Sequence, residues 1–156
     1  MSTREEILRL MHGDEFGGLP ELLAKREEAV PALLDVLADR SLPSYLRHRA
    51  AAALGKTKSK NATAGVEAAL ADADPVLRLM AARALVEIAS AGAGNALLKL
   101  VDDPDASVAK VALQGLAAIG QPAALETLER LRTDTPDELK QATAEAAIRA
   151  IRDRNV

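Results

Sequence analysis

Apolar residues in this chain come in short stripes separated by polar, proline-marked breaks. The clearest stripe is Leu77, Ala81, Leu85 and Ile88, spaced by four, four and three residues, which places them on one face of an α-helix. Asp74 and Pro75 stand just before it, a capping carboxylate followed by a ring whose fixed φ suits a first helical turn. Across that break, Val66, Ala69 and Leu70 form a shorter stripe that ends at Asp72. Two short helices joined by a tight Asp/Pro-marked turn predict an αα-hairpin over 65–88. Alanine at 81, 82 and 84 keeps the second helix thin, so that another helix can approach it closely.

The pattern repeats. Leu46, Leu77, Val108 and Leu139 lie 31 residues apart, and each opens a stripe. Leu46, Ala50 and Leu54 match Leu77, Ala81 and Leu85; Val108, Ala112, Leu116 and Ile119 fill the same slots. The last copy is weaker: Leu139, Thr143, Ala144 and Ala147, completed by Ile148 and Ile151. The first helices correspond as well, as PALLDVLAD from Pro31, GVEAALAD from Gly65, NALLKLVDD from Asn95 and ALETLERL from Ala124. No hairpin this small buries its own apolar face, so stacking of neighbours is the route to a core.

This unit, a leucine-rich helix, Asp-x-Asp-Pro, then Val/Leu-Arg-x-x-Ala-Ala-x-Ala-Leu-x-x-Ile, resembles the HEAT repeat over residues 28 to 153. Its short period is nearest to the bacterial, phycobilin-lyase type. The resemblance implies an all-α fold, an α-solenoid of about four HEAT-like hairpins with an N-terminal helical cap. It divides the chain into capping helices at 1–26 and a repeat solenoid at 27–156, one domain overall. It also implies a ladder in which an Asp about six residues before an Arg ties each repeat to the next. Asp72 with Arg78 fits that ladder fully, and Asp134 with Lys140 fits with a weaker cation. Ser41 with Arg47, and Asp103 with Ala109, each lack one member, which predicts interruptions there.

Outside the repeats, Thr3 and Glu6 make a capping box that starts a short helix, which Gly13 ends. Gly17 and Gly18 allow a turn, Phe16 is expected to plug the seam, and Pro20 begins a second capping segment. Glu27 to Asp39 is the first full first-helix, with its partner running from Pro43 to about Lys56. Residues 56–64, KTKSKNATA, are the most polar connector and are expected to be a mobile loop. Thr135-Pro136-Asp137-Glu138 caps the last helix, which should reach about Arg152.

Composition narrows the function. The 156 residues are 49% hydrophobic but 1% aromatic, an aliphatic core with little to stack on a base or a flat cofactor. There is no cysteine, which excludes disulfides, thiolate metal sites and cysteine catalysis. A net charge of −3 opposes general nucleic-acid binding. No apolar run approaches the roughly 18 residues of a membrane span, and the first residues are no signal peptide, so a cytoplasmic location is expected.

Catalytic motifs are weak. Gly55-Lys56-Thr57 resembles the tail of a phosphate-binding loop, but the earlier glycine would fall at Ala50, inside a helix. His12 and His48 are followed by Gly13 and Arg49, not by the glutamate of the His-Glu pairs that HEAT-like metal hydroxylases use. Carboxylates at 102, 103 and 105 cluster, yet the repeat explains them as hinge caps and ladder members. No metal, no cofactor and no enzymatic activity are expected.

What remains is surface. In HEAT-like stacks the second helices line the concave face, so their residues outside the core stripe face a partner. These are Arg49, Ala52 and Lys56, then Met80, Arg83 and Glu87, then Val111, Gln114 and Ala118, then Ala142, Glu145 and Arg149. Arg47, His48, Arg49, Lys56, Lys58 and Lys60 form a local basic region suited to an acidic peptide or protein segment. Met80 and Val111 add flexible or apolar contact area. The expected function is a non-enzymatic protein-interaction scaffold. Two alternatives are a lyase subunit or chaperone for a tetrapyrrole-bearing protein, implied by the repeat subtype, and nucleic-acid binding through the basic patch.

Overall fold

The computed structural model describes residues 3–13 and 19–156, and every regular element among them is helical. Two helices come first, α1 (Thr3–His12) and α2 (Leu19–Ala24). Four hairpins follow: α3 (Arg26–Ala38) with α4 (Ser44–Thr57), α5 (Thr63–Ala69) with α6 (Pro75–Ile88), α7 (Ala93–Leu98) with α8 (Ala106–Ile119), and α9 (Leu125–Asp134) with α10 (Glu138–Arg154). Short 3₁₀ turns at Lys60–Ala62 and Pro122–Ala124 lead into α5 and α9. The turn expected at Gly17-Gly18 and the seam expected to hold Phe16 lie outside the described residues.

The chain forms two compact units, residues 1–90 and 91–156. In the first, α4 packs along α6, α3 against both α4 and α5, and α1 against α3. Leu33, Leu46, Leu54, Leu77 and Leu85 are fully buried, as are Ala50 and Ala81 between them. In the second, α10 packs against α8 and α9, around Leu97, Leu113, Leu116, Leu128 and Ile151. The stripes read from the sequence are therefore core, apart from the half-buried Ile119 and Thr143 and one exposed residue. Leu139 occupies the slot of Leu46, Leu77 and Val108 yet is 67% exposed, and the core face of α10 starts instead at Ala144.

Hinge chemistry explains why the hairpins turn where they do. Asp74 caps α6 by accepting from the Val76 amide at 2.9 Å. Asp105 caps α8 through Ser107 and Val108, and Asp137 caps α10 through Leu139 and Lys140. Two residues earlier, Asp72 and Asp103 each accept the amide of the capping residue, at 3.0 and 2.9 Å. Each Asp-x-Asp is thus one carboxylate folding the turn and another opening the helix.

The polar connector at 56–64 is not the loose loop its composition predicts. Thr57 and Ser59 are buried, and the Ser59 hydroxyl donates to Glu27 at 2.8 Å while Asn61 donates to the same carboxylate at 3.0 Å. Ser59 and Asn61 thus pin this connector to Glu27 of α3.

Candidate partner-binding surface

In the first unit, α4 and α6 come into close backbone contact. A Cβ built on Gly55 would lie 2.8 Å from the Cα of Ala84, so glycine is what permits the approach. That approach brings Lys56 Nζ within 3.0 Å of Glu87, joining two of the residues expected on the partner face. Arg83 is exposed on α6 and makes no ion pair with the described residues; Met80, one turn earlier, is half-buried.

Arg49 has a different job. Its guanidinium donates to the carbonyls of Met11 and Gly13, the latter at 3.0 Å, and lies 5.9 Å from the centre of the Tyr45 ring. The Tyr45 hydroxyl hydrogen-bonds His12 Nδ1 at 2.8 Å. A cation on the carbonyl end of α1 answers the negative end of that helix, so Arg49 binds α4 to α1.

Most of the basic cluster is likewise spent internally. Arg47 is 8% exposed; it donates to the Leu37 carbonyl at 2.9 Å and to the Asp72 carboxylate at 2.6 Å. This is the ladder rung joining the first two hairpins, so the missing Asp at Ser41 does not break it. The Arg47 hydrogen bond, with the Asp74 amide, holds the Asp72 carboxyl below the ordinary carboxylate range. His48 pairs with Asp74 at 2.5 Å. Burial pushes the Asp74 carboxyl up, but the hydrogen bonds from His48 and the Val76 amide outweigh it and leave it lowered. Only Lys58 and Lys60 of the cluster point free of any partner among the described residues.

In the second unit, Val111 is half-buried on α8, Gln114 is exposed beside it, and Glu145 and Arg149 face solvent on α10 with 3.8 Å between them. None of the four lines a groove of about 420 Å³ between the first turns of α8 and α10. Its walls are Ala106, Ala109, Lys110, Leu113, Leu139, Lys140 and Thr143, with Asp103 and Asp137 at the hinge end. Two residues shape the groove. Ala109 stands where Arg47 and Arg78 stand in earlier copies, and leaves room instead of filling it. Leu139 is 67% exposed and keeps its side chain in the opening. Ala109 was visible in the sequence as a gap in the repeat, whereas Leu139 fits the repeat and its exposure shows only in the structure. Among the described residues no three His, Asp or Glu side chains gather to hold a metal ion.

Stacked helical hairpins with Asp-x-Asp hinges and a buried Arg–Asp rung define a helical-repeat protein. The HEAT-repeat family model matches residues 63–149, more than half the chain, and the chain belongs to that family. Its fold is accordingly the α-solenoid of HEAT and armadillo proteins. Among solved structures it is similar to human deoxyhypusine hydroxylase, at 27% identity and a TM-score of 0.72, over 85% of this chain and 46% of that one. It is also similar to the CpcE–CpcF complex of phycocyanin lyase from Nostoc sp. PCC7120, at 24% identity and a TM-score of 0.71, covering 98% of this chain and 66% of that one. A designed armadillo repeat protein in complex with the peptide (KR)4 matches at 22% identity and a TM-score of 0.65, over 95% of this chain and 86% of that one. The chain thus spans about half of the hydroxylase and two-thirds of the lyase chain. No curated protein sequence matches it significantly.

Proposed function

We propose that this chain is a non-enzymatic protein-interaction module that holds a partner segment on the solvent faces of its second helices. The observation that carries the reading is the groove between α8 and α10, where a leucine is two-thirds exposed over Leu113 and Ala109 with Lys110 at the rim. Large apolar side chains left in a concave, partly polar setting are the usual mark of a contact site. A partner segment with an apolar anchor and flanking acidic residues fits this setting: the anchor covers Leu139 and the acids meet Lys110. Arg83 on α6 is a further exposed cation that such a partner can use. The fold class is compatible, since the designed armadillo neighbour holds a peptide. The reading places the protein in the cytoplasm; no described helix is long and apolar enough to cross a membrane.

The test is affinity capture from source-cell lysate with the wild type, Lys110→Glu/Leu139→Glu and Arg83→Glu side by side. Both altered groove residues are at the surface, so the fold should persist, as circular dichroism would verify. A protein retained by the wild type and reduced at least about tenfold by the groove variant, roughly 1.4 kcal/mol, is the expected result. Equal capture by wild type and groove variant would move the site elsewhere. Nucleic acid in the captured fraction, with affinity falling steeply as salt rises, would replace the protein-partner reading.

A further inference from the structure

Each unit carries a hollow on its first-helix side, and the two hollows are equivalent by repeat register. In the first unit the hollow, about 410 Å³, is lined by Arg40, Gly65, Ala68, Ala69 and Asp72, with Arg47 crossing it. In the second unit a hollow of about 280 Å³ is lined by Asp102, Thr127, Arg130, Leu131 and Asp134. These are the same five positions moved by two repeats: 102 − 40, 127 − 65, 130 − 68, 131 − 69 and 134 − 72 all equal 62, twice the 31-residue spacing.

The occupant differs. In the first hollow the Arg47 guanidinium spans from the Leu37 carbonyl to the Asp72 carboxylate. The same shift takes Arg47 to Ala109, Leu37 to Lys99 and Asp72 to Asp134. A methyl group cannot reach a carboxylate across the seam, so the second hollow keeps one acceptor of the rung, Asp134, without its donor. Asp134 is exposed and bonded only to the Thr133 hydroxyl, at 3.1 Å. Charge follows the same direction: the wall position held by Arg40 in the first hollow is Asp102 in the second. Lys140, at 2.7 Å, offsets Asp102, and no cation among the described residues pairs with Asp134. Arg130 lines the hollow but forms no ion pair with either carboxylate.

We infer that this vacant rung position is a receptor for one arginine side chain of a partner protein, docked as Arg47 docks in the first unit. A planar fork that bonds a carbonyl through one nitrogen and a carboxylate through another is arginine's geometry; a lysine ammonium is a point charge and spans the two poorly. The inference rests on the internal repeat; it shares Ala109 with the groove between α8 and α10 but uses the opposite, first-helix side.

The test is an amide chemical-shift titration of the intact chain with the peptide acetyl-Gly-Arg-Gly-amide, and with its lysine and glutamate counterparts. Saturable shifts are expected at Lys99 and across 130–135 with the arginine peptide, several-fold weaker binding with lysine, and none with glutamate. Ala109→Arg, which supplies the missing donor from within, should abolish the shifts and raise the melting temperature. Asp134→Asn should weaken them and serves as the deciding variant if Ala109→Arg folds poorly. Shifts that never saturate, that persist unchanged in both variants, or that are equal for arginine and lysine would overturn the assignment. Lys110→Glu/Leu139→Glu should leave this titration unchanged, which separates its failure from that of the groove.

Discussion

Arg47 and Asp72 concentrate the electrostatics of the first unit in one nearly buried contact, their side chains 10% and 9% exposed. Removing one member of such a pair strands the other, so Arg47→Ala should cost about 3 kcal/mol of stability in a denaturant titration. The Asp72 carboxyl is held below its unfolded value of about 3.9, so its contribution is fully present above that pH and is lost as pH falls through the folded value. The stability gap between wild type and Asp72→Asn should therefore be constant from about pH 7 to 5 and shrink below about pH 4; a gap unchanged at low pH would show that the lowered carboxyl contributes nothing. Alanines are as position-specific as the charges. Ala81 and Ala112 are fully buried, and enlarging either to leucine should overpack the seam at about 1–3 kcal/mol, read as a lower melting temperature. At this scale the sequence was legible where a residue acts within its own helix. It was opaque where the partner lies a repeat away: Arg49 reads as a surface cation until the carbonyls of Met11 and Gly13 are beside it.

Helices in this chain are delimited by residues that announce themselves. The Asp-x-Asp and Thr-Pro-Asp hinges predicted the starts of α6, α8 and α10, because a side-chain cap is a local interaction that a sequence displays directly. C-termini are less uniform. α8 ends on Gly120 at φ 73°, as a left-handed cap prefers, whereas α6 ends on Ala89 at φ 51°. An L-residue with a Cβ is strained there, so Ala89→Gly should raise stability by up to about 1 kcal/mol, measured as a higher melting temperature. Gly120→Ala should lower it, since the new Cβ would also meet the Arg154 side chain at 2.8 Å. The 56–64 connector escaped sequence reading for a physical reason. Polar residues suggest solvation, but Thr57 and Ser59 spend their hydroxyls on a helix carbonyl and on Glu27, a pairing 32 residues apart in the chain.

For the whole molecule, the repeat made the fold readable, and the proposed site sits where the structure departs from it. A 31-residue register identifies the hairpins and their shared core, since every copy must bury the same stripe against its neighbours. A binding surface has no such redundancy. Sequence reasoning offers evenly spaced slots such as Met80, Arg83, Val111 and Gln114 for it; the groove in the second unit lies beside these, around Ala109 and the exposed Leu139. The central claim is that a partner lies along the second helices. Hydrogen–deuterium exchange of the chain, free and bound to the protein it captures, tests this most directly. Slowed exchange in the first turns of α8 and α10 is the predicted result; protection confined to the first helices, or absent throughout, would contradict it.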